Sequence, residues 1–186
     1  MIQDTETGDK DYSYSTLMTS YNSKSIIFQV QTASDAMVAI SSEDAEDDPT
    51  NVYEIGLGIP IDETVVSVIR RGIGGPDKVS EYTPDILSDS EYRTFWLSWE
   101  TPETIECGRG HIVGMHTLVS WTDETIDTSK IDTVAITSGK NTKATWRISS
   151  FEGLFHCTSF KIETVMKVWP PFSLYSTTTR IVQLCA

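Results

Sequence analysis

"EYRTFWLSWE" (91–100) sets Phe95, Trp96, Leu97 and Trp99 within five residues and then gives way to the polar, glycine-bearing "TPETIECGRG" (101–110). On a strand, successive side chains point to opposite faces, so Phe95, Leu97 and Trp99 share one face and Thr94, Trp96 and Ser98 the other. The first set reads as the buried face of a central strand. Trp96 opposes it and is expected to look outward. There it is either covered by a second layer, the chain's own tail or a subunit interface, or it is a platform on which a sugar ring stacks.

Working outward from this strand, short β-branched and aromatic runs recur between Gly, Pro, Asp and Ser clusters, and helical periodicity is nearly absent. The runs are "SIIFQVQT" (25–32), "AMVAIS" (36–41), "NVYEIGLG" (51–58), "VVSVIRR" (65–71), "RTFWLSWE" (93–100), "TIECGRG" (104–110), "TLVSWT" (117–122), "IDTVAIT" (131–137), "ATWRIS" (144–149), "SFKIETVMKV" (159–168) and "TRIVQLC" (179–185). Alternating faces on so many short strands predict an all-β, jelly-roll-like antiparallel β-sandwich, because each sheet must bury one apolar face. Residues 1–150 read as the sandwich domain, and 151–186, with "WPPFS" (169–173) between two strand-like runs, as a C-terminal β-hairpin extension. A segment that short makes no core of its own and must dock on the sandwich or on a neighbouring subunit, which gives a route to a homo-oligomer.

Charge narrows the function classes. The formal net charge of −13 opposes an electrostatic grip on nucleic-acid backbones and on anionic membranes, and no apolar run is long enough to span a bilayer. "MIQDTETGDKDYSYS" (1–15) has no signal-peptide pattern, and an extracellular setting is slightly favoured over an intracellular one. Cys107, Cys157 and Cys185 allow at most one internal disulfide, Cys157–Cys185 being the better placed, and reduced thiols are an equal reading. "SSEDAEDDPT" (41–50) carries five carboxylates and reads as a solvated loop, with Glu43, Asp44, Asp47 and Asp48 as calcium candidates if other oxygen ligands converge on them.

Catalytic patterns are lacking. "VIRRGIGGPDKVSEY" (68–82) offers a strand and a glycine-rich turn but no following helix, so it reads as a hairpin turn and no cofactor is predicted. His111, His116 and His156 stand in no triad-like spacing with a nucleophile. Trp99, Trp121 and Trp146 each have an apolar residue two positions away on the same strand face and are expected in the core. Trp169, before two prolines, has no such partner.

The order "IIFQVQTASDAMVAIS", "VYEIGLG", "VSVIRR", "YRTFWLSWE", "ECGRG", "LVSWTDE", "VAITSG" and "ATWRI" resembles the farnesoic acid O-methyltransferase-like domain over Tyr12 to Ser149. Asp35, Tyr53, Glu54, Arg70, Phe95, Trp96, Trp99, Gly108, Gly110, Trp121, Asp123 and Trp146 match recurring positions of that family, whereas Met37 stands where many members have histidine. The name implies methyl transfer from S-adenosylmethionine to a farnesoic-acid-like carboxylate. The family's association with lectin-like modules implies recognition instead. The expectation carried forward is a non-catalytic recognition module for a glycan or glycoprotein surface, Trp96 stacking on the sugar and Glu54, Arg70 and Asp123 supplying polar contacts. The alternatives are the methyltransferase and an acidic structural or matrix protein.

Overall fold

In the computed structural model the chain is described at residues 2–5, 15–19, 23–42, 51–139, 142–149, 160–167 and 176–183. Among the described residues fourteen strands run in chain order: β1 (Ile2–Thr5), β2 (Ser15–Thr19), β3 (Ser25–Thr32), β4 (Ala36–Ser42), β5 (Val52–Ile61), β6 (Thr64–Arg71), β7 (Asp77–Tyr82), β8 (Ser88–Ser98), β9 (Thr104–Arg109), β10 (Thr117–Thr122), β11 (Ile131–Ser138), β12 (Ala144–Ser149), β13 (Phe160–Lys167) and β14 (Ser176–Gln183). They form an eight-stranded sheet in the order β10-β9-β8-β3-β12-β1-β13-β14 and a six-stranded sheet in the order β2-β11-β4-β5-β6-β7. The pairings are antiparallel except β1 with β13, which is parallel. The β13–β14 hairpin joins the larger sheet through that parallel pair.

The period-two rule explains why these residues form strands. β3 alternates half-buried and buried along its whole length, so Ile26, Phe28 and Val30 enter the core. Phe95, Leu97 and Trp99 do the same from β8 and its end, opposite Ile55, Leu57 and Ile69 of the smaller sheet. Phe28 anchors the middle of this layer, its ring 5.8 Å from Phe95 and 5.7 Å from Trp146. Trp99 and Trp146 are fully buried, and Trp121 of β10, partly buried, packs against the same core cluster. The larger sheet's outer face and the smaller sheet's outer face therefore lie on opposite sides of one shared core.

The outer face of the smaller sheet is also largely covered. Met37, Ile59 and Val68 form a second apolar cluster there, and Ala39, Val52 and Ala135 a third. Three segments were not legible as strands from their composition: β1 and β2 are short, and β7, "DKVSEY", is a mostly exposed edge strand rich in charge. Charged side chains on an edge discourage pairing with another chain. Among the described residues, no helix is long and apolar enough to cross a membrane.

Candidate functional site

Adjacent residues of β6 lead to two different polar clusters. Arg70 pairs with Glu54 across the β5–β6 ladder and points to the outer face of the smaller sheet. Its Nη1 lies 3.1 Å from Glu54 Oε2, and its Nε 2.6 Å from Asp77 Oδ1. Burial opposes the guanidinium's charge, but its hydrogen bonds to Asp77 and Glu54 prevail and hold it firmly protonated. Glu54 Oε2 also accepts the Gly74 N–H at 3.2 Å, which draws the Gly72–Gly75 turn over it.

That turn is closed on itself. Gly75 N–H donates to Gly72 O, and a Cβ on Gly75 would lie 2.2 Å from Arg71 O. The chain leaves it into β7, an exposed strand. The turn therefore lacks the open backbone N–H groups at the head of a helix by which a Rossmann-type cradle holds a nucleoside cofactor.

Arg71 points the other way, toward one end of the sandwich. Its Nη1 lies 2.9 Å from Asp123 Oδ2 and 2.6 Å from Thr125 Oγ1. Tyr53, from the start of β5, donates its hydroxyl to Asp123 Oδ2 at 3.2 Å, and its ring packs on Trp121 at 5.7 Å. The other carboxylate oxygen accepts Thr125 N–H at 2.9 Å and Thr125 Oγ1–H at 2.6 Å. Burial alone would raise the Asp123 pKa. Hydrogen bonds from Thr125 and Tyr53 and the charge of Arg71 outweigh it, so the carboxyl sits below its usual range. Burial, opposed by Arg71 and reinforced by Asp123, raises the Tyr53 phenol above its ordinary value and keeps it a donor.

In front of this cluster lies a cavity of about 160 Å³. Its walls are Ser42 at the end of β4, Asn51 and Tyr53 at the entry to β5, and Thr125, Ile126, Asp127, Lys130 and Ile131 from the β10–β11 connection. That connection is shaped by its aspartates. Asp123 caps Thr125, and Asp127 accepts from both the backbone N–H and the hydroxyl of Ser129, opening a single 3-10 turn at Thr128–Lys130. The Ser129 hydroxyl contributes most to holding the Asp127 carboxyl below its ordinary value. The cavity thus presents neutral hydroxyl and amide groups, an ionised carboxylate and an ammonium, with Ile126 and Ile131 as its apolar part.

Of the four residues expected at the site, the structure brings Glu54 and Arg70 together and sets Asp123 and Trp96 apart from them. Glu54 and Arg70 lie on the outer face of the smaller sheet, Asp123 behind the end cavity, and Trp96 on the outer face of the larger sheet. The expectation that Trp96 offers an open ring is overturned, because it is fully buried. Its indole N–H donates to Met115 O at 2.7 Å, so the loop from Gly110 to His116 covers it. The ring lies against its cross-strand partner Gly108, where any Cβ would come within 2.3 Å of Cζ2. A tryptophan resting on a strand glycine fills the space that residue leaves empty, a structural role. Sequence reasoning missed Asn51, Thr125, Asp127 and Lys130. The usable signal was the repeated Asp-x-Thr/Ser in "DETIDTS" (123–129), the pattern in which an aspartate binds the backbone two residues on.

Glu43, Asp44, Asp47 and Asp48, together with His156, Cys157, Trp169 and Cys185, lie outside the described residues. Among the described residues no group of three or more His, Cys, Asp or Glu side chains is arranged to hold a metal. Cys107 is a buried free thiol, its pKa pushed up to about 12 by burial.

The family model described as farnesoic acid O-methyl transferase matches residues 8–152. The chain belongs to the farnesoic acid O-methyltransferase family. Several of the residues singled out by the resemblance hold the fold together: Phe95, Trp99 and Trp146 in the core, Trp96 on Gly108, Glu54 with Arg70, and Tyr53 with Asp123. No curated protein matches the chain. Among solved structures it is similar to a lectin from Bauhinia forficata in complex with GalNAc, at 9% identity and a TM-score of 0.43, covering 67% of this chain and 72% of that one. It is also similar to the galectin LEC-6 of Caenorhabditis elegans, at 12% identity and a TM-score of 0.42, covering 79% and 96%. A prokaryotic β-1,3-1,4-glucanase (lichenase) derived from a mouse hindgut metagenome aligns at 9% identity and a TM-score of 0.38, covering 71% and 64%.

Proposed function

We propose that this family member is a carbohydrate-recognition module that seats one sugar residue in the cavity at the sandwich end. The observation that carries this reading is the cavity's lining. A sugar presents hydroxyls that both donate and accept, and apolar C–H faces between them. Asn51 and Ser42 can do either, Thr125, whose proton goes to Asp123, and Asp127 accept, Lys130 donates, and Ile126 and Ile131 supply the apolar contact.

Size supports the same reading. Sites for drug-sized ligands occupy roughly 300–1,000 Å³. A cavity of about 160 Å³ suits one pyranose ring better than a farnesyl chain or a nucleoside cofactor. At roughly 0.3 kcal/mol per non-hydrogen atom, a ring of about twelve such atoms gains about 4 kcal/mol, a Kd on the order of 1 mM. Useful avidity then requires several sugars displayed together.

The test is calorimetry against a monosaccharide panel and binding to multivalent glycans. Sugar-dependent binding that Asn51→Ala and Lys130→Ala both abolish, with the fold intact, is expected. A blank across the panel retires the reading. Millimolar S-adenosylmethionine is included in the panel, and a thermal shift with it in place of a sugar would reinstate the methyltransferase.

A further inference from the structure

Three backbone carbonyls converge on one side-chain nitrogen beside the cavity. Lys24, next to β3, places Nζ 3.0 Å from Thr128 O, 2.8 Å from Ser129 O and 3.2 Å from Ile131 O. An ammonium has three N–H donors and no acceptor, so these carbonyls match its full donor set. They lie in and just after the Thr128–Lys130 turn, where carbonyls lack partners within the turn itself. The backbone carbonyl of Lys24 meanwhile accepts Trp99 N–H at 2.8 Å, at the edge of the buried core. One residue thus joins the core to the segment bearing Ile126, Asp127, Lys130 and Ile131, which is one wall of the cavity.

We propose that Lys24 is the positioning residue of the cavity, its ammonium filling a carbonyl cage that will accept a free primary ammonium ion when the side chain is cut back. The cage selects by chemistry. A primary ammonium can direct three N–H groups at converging carbonyls, a quaternary ammonium has none, and the flat fork of a guanidinium matches poorly. The consequence for sugar affinity rests on the reading of the cavity given above, whereas the cage itself does not.

Hydrogen exchange measures the cage directly. The Thr125, Ile126, Ser129 and Lys130 amides are bonded within the wall and report on its closure. In Lys24→Ala their exchange should rise about tenfold or more, the scale of one lost charge-assisted hydrogen bond. Propylammonium chloride should restore protection, and tetramethylammonium chloride at the same concentration should not. Lys24→Met keeps the stem and should show the same loosening without rescue, which covers failure of the alanine variant to fold. Unchanged exchange in a folded variant, or equal effects of the two salts, would overturn the proposal. If the wild-type protein binds a sugar from the panel, Lys24→Ala should weaken it about tenfold and propylammonium should recover it. A wild-type protein that binds no sugar removes the sugar reading and leaves the exchange result to decide the cage.

Discussion

Arg70 and Arg71 are neighbours on one strand, and each meets carboxylates, yet their surroundings differ in kind. Arg70 lies between Glu54 and Asp77 on a covered sheet face, with the Gly74 N–H drawn onto Glu54. Arg71 meets Asp123 and Thr125, and Thr125 in turn lines a cavity. Paired charges alone therefore do not mark a site. The first cluster ties a turn to a sheet, and the second backs a space that a ligand can enter.

The largest expected effect comes from breaking the closed cluster. Glu54 is 1% exposed, so Glu54→Ala leaves Arg70 mostly buried with one partner fewer and should cost about 4 kcal/mol in urea unfolding, with no change in sugar affinity. A loss under about 1 kcal/mol would show that this cluster is not the tie described. Remote from both arginines, Gly108→Ala sets the scale for a purely steric fault. The added methyl meets the Trp96 ring and should cost about 2–3 kcal/mol, with a red-shifted tryptophan emission as the loop over it loosens. An unshifted spectrum with full stability would mean that the ring has room to move.

At the open cluster, Asp123→Ala should cost about 2 kcal/mol and also remove sugar binding, because Thr125 and Tyr53 lose their common acceptor. The folded Asp123 carboxyl lies below its ordinary 3.8. Its contribution is therefore complete above that pH and fades as pH falls through the lower folded value. Stability measured from pH 6 down to pH 2 should accordingly fall less steeply in Asp123→Asn than in the wild type; parallel curves would contradict this. The smallest stability effect is at Lys130, whose side chain is 65% exposed. Lys130→Ala should change unfolding free energy by less than about 0.5 kcal/mol while lowering sugar affinity at least about tenfold. Equal losses of stability and binding would make this residue scaffold.

Much of the fold was legible because burial in a sandwich imposes a period of two. The expected bounds of the strands at 25–32, 117–122 and 144–149 coincide with β3, β10 and β12. β7 escaped notice because an edge strand with charged side chains lacks the apolar alternation by which a buried one is recognised. Trp96 was placed on the correct face, but its cover is a loop arriving from β9, and no local pattern announces which loop folds over which ring. The cavity was the least legible part. Its lining comes from the end of β4, the start of β5 and the distant β10–β11 connection, an arrangement set by topology.

The middle of the larger sheet has a bearing on how the protein comes to fold. β3 is flanked by β8 and β12, so Phe28 cannot complete its ring contacts until both Phe95 and Trp146 have arrived. During synthesis, everything up to the end of β11 remains one ladder short at its centre, and a fragment cut there would expose an apolar strand edge. Such distant pairings belong to slow-folding topologies, on the order of milliseconds to seconds. Any recombinant version of the domain should therefore run at least through Ser149.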